Sequence, residues 1–143
     1  MIFNSNMWII YAIGSALFAA LTAITAKIGI TNIDSNLGTA IRTFIVLIIA
    51  AGIVLFTKSF QQIPNISLKT WAFLIISGLM TGLSWLCYFK ALQMADTAKV
   101  VTIDKFSLIF VLILSALILK EGITLKMFLA AALITIGTIL MVV

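Results

Sequence analysis

Three observations predict an all-α integral membrane protein, a bundle of five transmembrane helices. Hydrophobic residues make up 64% of the chain and charged residues 9%, against roughly 45–50% and 25% in soluble domains. Mean hydropathy is +1.30. The apolar residues also come in blocks of about 20, long enough to cross a bilayer, rather than scattered. Helices are expected over about 7–30, 38–57, 69–90, 99–119 and 125–142, as one transmembrane unit over 1–143.

Several function classes drop out at once. The nine basic residues sit singly at segment ends, so the net charge of +5 fits loops beside a membrane and not a nucleic-acid patch. There is no histidine, which removes imidazole from any proton relay or metal site. Cys87 stands alone, so no internal disulfide is possible and a small buried apolar role is expected. No nucleophile–base set or metal-ligand cluster marks an enzyme, and no cofactor is implied. A filter-like motif or ring of charge, as a channel needs, is missing as well. The amino-terminal MIFNSNMW lacks a basic region, so the first apolar run reads as a retained helix, not a cleaved signal.

In the first helix, Asn4, Ser5 or Asn6 supplies the cap. Tyr11, Ser15, Phe18, Thr22, Thr25 and Gly29 recur at alternating spacings of four and three and so share a face. Small and hydroxyl residues on such a face favour close helix packing, with one or two of them left to line a cavity. A short polar loop with Asn32, Asp34 and Asn36 leads to the second helix, which carries Arg42 one turn inside and is otherwise apolar nearly all round. The longest connection, 57–68, holds the only proline, Pro64, and Ser67 is a plausible cap for the third helix.

That third helix carries a GxxxG pair, Gly78 and Gly82, a close-contact motif in membranes. Trp85 and Tyr88 continue its side. Tyr88 suits an interfacial aromatic belt, and Trp85, lying deeper, suits a cavity wall equally well. Asp96 and Thr97 precede the fourth helix, with Thr97 as its cap, and Gly122 is placed to stop it. Thr124 caps the last helix.

The fourth helix holds Asp104 and Lys105 one turn inside its first end. An ionised side chain at membrane depth costs about 2.5–3.5 kcal/mol or more, so these two need partners or water. Asp104 with Lys27 or Arg42 is the expected pairing, read either as a gate beside a cavity or as structural ion pairs with snorkelling lysines. Ser107, Val111 and Ser115 extend a weakly polar track inward, although such hydroxyls often bond only their own backbone.

With five spans, Lys58, Lys69, Lys120 and Lys126 fall on one side and Lys27, Arg42, Lys90, Lys99 and Lys105 on the other. Orientation follows an excess of Lys and Arg on the cytoplasmic side, and four against five gives almost none. Insertion both ways round, with oppositely oriented copies pairing about an axis in the membrane plane, is one reading. A single orientation fixed by subtler cues is the other.

The stretch SWLCYFKALQMADTAKVVTIDKFSLIFVLILSALILKEGITLKMFLAAALITIGTILMVV resembles the second half of an EamA domain of the drug/metabolite transporter superfamily, and LGTAIRTFIVLIIAA is similar to that family's second helix with its Arg42. The resemblance spans essentially the whole chain. It implies half of an inverted-repeat transporter, because family members typically carry two such five-helix domains, mutually inverted. One domain then implies a homodimer or a second EamA-like partner chain. Where the family often has a proline in the fourth helix, Lys105-Phe106-Ser107 stands instead, so a helix break is not carried over. The small multidrug exporters of the same superfamily rely on a glutamate in the first helix; this first helix has no acid, so proton exchange is not carried over either.

The expected function is secondary transport of a small metabolite or drug-like molecule across the cell (plasma or inner) membrane, by alternating access in an antiparallel homodimer. Trp85, Tyr88, Tyr11, Ser15, Thr22 and Ser107 would line the substrate cavity, and Asp104, Lys105, Arg42 and Lys27 would form the gate or bind substrate charge. The cationic balance favours an anionic or zwitterionic substrate. The alternative is an accessory or scaffold membrane subunit without transport of its own.

Overall fold

The computed structural model describes residues 7–143, so the expected caps Asn4, Ser5 and Asn6 lie outside the described residues. The described elements are α1 (Met7–Gly29), α2 (Ser35–Phe56), a 3-10 turn (Ser59–Asn65), α3 (Leu68–Met94), α4 (Thr97–Asp104), α5 (Ser107–Leu114), a π-helical segment (Ser115–Leu119) and α6 (Leu125–Val142). Among the described residues, five helical spans are long and apolar enough to cross a membrane, the fourth running Thr97–Leu119 through α4, α5 and the π segment. The chain divides into two compact units, one ending at Gln93 and one beginning at Met94.

Element ends follow local chemistry, and several differ from expectation. The second helix starts at Ser35, not at residue 38, because the Asp34 carboxylate accepts from the amides of Asn36 (2.8 Å) and Leu37 (3.4 Å). The third runs on to Met94, since the good helix formers Ala91, Leu92, Gln93 and Met94 meet no breaker. Ser67 and Thr124 do cap α3 and α6: Ser67 Oγ accepts from the Thr70 amide (3.1 Å) and Thr124 Oγ1 from the Met127 amide (3.3 Å). Thr97 does not cap α4. It is the first helical residue, and Asp96 holds the cap position with extended backbone. Cys87 is exposed, not buried.

The first unit is tight at one end. Its buried residues are Ala23, Ile30, Ser35, Thr39, Phe89 and Leu92, all near the end of α1, the start of α2 and the end of α3. Large apolar residues towards the other ends, such as Trp8, Phe56 and Leu68, are exposed; in a protein of this composition they face lipid. Small residues let the helices meet at the tight end. An added Cβ on Gly38 would sit 2.8 Å from Ile30 Cγ2, on a stiff, β-branched side chain. The buried hydroxyl of Thr39 bonds back to Ser35 O (2.8 Å), so it brings no unsatisfied group into the contact.

A reciprocal clamp closes this end. Gln93 Nε2 donates to Ile30 O (3.1 Å) and Ile33 O (2.6 Å), while Lys27 Nζ donates to Leu92 O. The last carbonyls of a helix have no partner within it. Here each of two helices lends the other a donor: α3 covers carbonyls after α1, and α1 covers one near the end of α3.

In the second unit α4 lies against the end of α6. Val100 and Thr138 are buried, and Thr102 Oγ1 donates to Ala98 O (2.7 Å) and lies 3.4 Å from Met141 Sδ. The fourth span is not continuous. The amides of Lys105, Phe106, Leu108 and Ile109 bond to the carbonyls three residues back, at 2.9–3.1 Å, so the chain is wound as 3-10 between α4 and α5. Four β-branched residues in a row, Val100 to Ile103, weaken the helix just before this point. A break therefore forms without the proline. Gly122 does not stop the span either. The widened π turn ends at Lys120, whose φ of 57° provides the left-handed stop two residues earlier.

Two predictions follow from the tight end. Gly38→Val, which forces overlap with Ile30, lowers stability by about 1–3 kcal/mol, whereas Gly52→Ala, with open space around it, does not; thermal unfolding in detergent reads both. Lys27→Met strips Leu92 O of this donor and Gln93→Leu strips Ile30 O and Ile33 O of theirs, and each change costs about 1–3 kcal/mol; a double-mutant cycle on the same midpoints shows the two losses coupled.

Candidate functional site

A cavity of about 360 Å³ opens beside the tight end of the first unit. Thr22, Thr25 and Gly29 of α1, Gly38 and Arg42 of α2 and Phe89 of α3 contribute to its wall, which isoleucines 30, 33 and 41 complete. The polar stripe of α1 thus splits. Its lower half, from Thr22 on, faces the cavity. Tyr11, 71% exposed, and Ser15 do not line it.

Arg42 is the chain's single arginine. It sits seven residues into α2, roughly 10 Å along the axis at about 1.5 Å per residue, deeper than the one turn expected, because α2 begins earlier. Its guanidinium carbon lies 4.1 Å from the centre of the Trp85 ring and 5.2 Å from that of Phe89. Contacts of this kind are worth about 0.5–1 kcal/mol when exposed and about 2 or more when desolvated. Tyr88, half-buried, meets Phe89 edge-on at 6.2 Å and lies within electrostatic reach of Arg42. The structure therefore brings Arg42, Trp85 and Tyr88 together. Trp85 backs the arginine and is not part of the cavity wall.

The charge balance around Arg42 is lopsided. The only carboxylate before residue 94 is Asp34. It is bound to the α2 backbone, eight residues or roughly 12 Å down the helix from Arg42. Two aromatic faces thus stabilise the guanidinium without consuming its five N–H donors. Thr25, which contributes to the cavity wall, gives its hydroxyl proton to Leu21 O (2.8 Å), its own backbone. A second cavity of about 320 Å³ flanks the clamp and is lined by Lys27, Ile30, Thr31, Leu92 and Gln93.

In the second unit Asp104 and Lys105 are exposed and stand at the break of the fourth span. Because α4 begins at Thr97, Asp104 lies two turns in, not one. Ser107 opens α5 and is exposed; Ser115, half-buried, bonds to Leu112 O (3.2 Å), its own backbone. A separate apolar cavity of about 230 Å³ lies between α5 and α6. Among the described residues, no three acidic or cysteine side chains gather as metal ligands do.

Phe89 and Gln93 escaped the sequence reading. The signal was there: Trp85, Phe89 and Gln93 recur every four residues and share one face of α3, so the face that holds Arg42 also carries the clamp.

Comparison with known proteins agrees with this architecture. The model of the EamA-like transporter family matches residues 6–143. A Sinorhizobium sp. protein named "Uncharacterized transporter in cobO 3'region" is 44% identical over 139 residues, covering 97% of this chain and 99% of that protein. No solved structure matches. With five apolar spans, a family match along nearly its whole length and a transporter-named relative of the same extent, the chain belongs to the EamA-like transporter family of membrane proteins.

Proposed function

We propose that the protein is a secondary transporter of a small metabolite in the cell membrane, working as an antiparallel homodimer with alternating access to the Arg42 cavity. The observation that carries this reading is a charged side chain about 10 Å inside a membrane span, stacked on Trp85 and Phe89 and open to a cavity of about 360 Å³. Intramembrane ionisable residues are expensive and mark substrate or ion pathways. The volume lies at the small end of ligand pockets, roughly 300–1,000 Å³.

Two observations support a dimer. The basic residues divide four to five between the two sides of five spans, close to the balance that permits both orientations. Gly78 and Gly82 have open space where a Cβ would stand, so the GxxxG face of α3 can receive a helix from a second copy. The gate falls to the broken fourth span. Mid-helix 3-10 winding often marks a hinge, and here it carries Asp104 and Lys105 beside it. Changing the tilt of α5 against α4 would move both charges between aqueous and protein surroundings, which is the event alternating access requires.

The purified protein, reconstituted alone, should move its substrate. Asp104→Asn should lower flux at least tenfold while leaving insertion and thermal stability intact; unchanged flux removes Asp104 from the gate. Transport that always needs another protein would instead make the chain an accessory subunit. Orientation has its own readout. In a Cys87→Ser background, Asn32→Cys and Gln61→Cys should each be labelled in part by an impermeant maleimide on intact cells, as two orientations require. Complete labelling of one and none of the other refutes dual insertion.

A further inference from the structure

We infer that the Arg42 cavity is a binding site for small monocarboxylates with a compact apolar body and no amine, an assignment that rests on the transport reading above. The charge count sets the class. The cavity presents one cation. Within its unit no acid other than the backbone-bound Asp34 is available to neutralise it or to receive a substrate ammonium. A cationic ligand would face Arg42 with no free carboxylate of that unit to compensate the repulsion. A phosphate ester, at about −1.5 to −2, would bring more negative charge than a single guanidinium neutralises in an apolar surround. One carboxylate against one guanidinium balances.

Geometry narrows the class further. Trp85 and Phe89 engage the guanidinium through their ring faces. Stacking of this kind leaves the in-plane N–H groups for a ligand, and a carboxylate meets them as a planar, bidentate partner. The walls beyond are isoleucines 30, 33 and 41 with Ala26, Gly29 and Gly38, which suit a branched aliphatic body. Of the unit's other cations at this end, Lys27 donates to Leu92 O and belongs to the clamp, and Lys90 is not part of the cavity wall.

Trp85 stands against the binding group and so reports on it. The chain has three tryptophans, so Trp8→Phe with Trp71→Phe leaves Trp85 as the single fluorophore. In nanodiscs of zwitterionic lipid, this protein is titrated with 4-methylpentanoate, 4-methylpentanamide, 4-methylpentylamine and leucine, which share a carbon skeleton. The carboxylate should change Trp85 emission saturably. The amide, the amine and leucine should bind at least about tenfold more weakly, a gap of one good charge-assisted contact. Arg42→Lys should lose about tenfold in affinity and Arg42→Gln all detectable binding, with thermal midpoints showing that each variant remains folded. Binding of amide or amine as tight as the acid, or carboxylate binding that survives Arg42→Gln, overturns the assignment. So does an Arg42-dependent response to added phosphatidylglycerol with none to the acid, because the anion would then be a lipid headgroup. Uptake of the same four compounds into proteoliposomes separates the two claims: transport of the amine or amide in place of the acid refutes the carboxylate class and leaves the transporter reading standing, while transport of none of them, with the acid still bound, refutes the transporter reading alone.

Discussion

Everything distinctive about the first unit depends on how one positive charge is kept inside a membrane. Within the first unit Arg42 is held by the faces of Trp85 and Phe89, and that unit's one carboxylate, Asp34, is spent on the α2 backbone. A salt bridge would have silenced the charge. Aromatic contact stabilises it and leaves its donors unspent. The rest of the tight end then acts as scaffold: the Gly38 approach brings the turn after α1 against α2, and the Gln93 and Lys27 bonds tie α3 to that turn and to α1. Trp85, Phe89 and Gln93 lie on one face, so the clamp that fixes α3 also fixes the two rings under the guanidinium.

The second unit solves a different problem. Its span must stay hydrogen-bonded in lipid and yet departs from α geometry. Winding as 3-10 at Lys105 and Phe106 keeps every one of those amides paired, at three residues back instead of four. Pairing of this kind matters in a bilayer, where an unsatisfied backbone group costs several kcal/mol. The π turn at Ser115–Leu119 is a second departure from α geometry in the same span. One span of five thus holds both irregularities, whereas the others run as unbroken α-helices.

Much of this was legible in the residues. Block length and hydropathy identified the five spans, and turn chemistry at Ser67 and Thr124 marked two helix starts. The family was readable from the stretch that runs from Ser84 to the end of the chain. Helix ends were harder. Asp34 reads as a loop residue, but its carboxylate is bonded to the amides of Asn36 and Leu37, and Lys120, two residues before Gly122, takes the left-handed stop where the π turn ends. The break has no proline to mark it; a run of four β-branched residues ahead of a charge pair is a subtler cause. The partners of Arg42 are less legible, because carboxylates can be counted in a sequence whereas ring faces are aligned only by the fold.

The central claim is that water and small anions reach Arg42 at membrane depth. Since it is the only arginine, an impermeant arginine-selective dicarbonyl such as hydroxyphenylglyoxal reports on it alone, with intact mass as the readout. In protein reconstituted into lipid, the account predicts a single adduct whose formation slows when 4-methylpentanoate is present. A protein that stays unmodified in lipid, yet gains the adduct once unfolded, would contradict it: the guanidinium would be sealed away, and there would be no aqueous cavity for a substrate to enter.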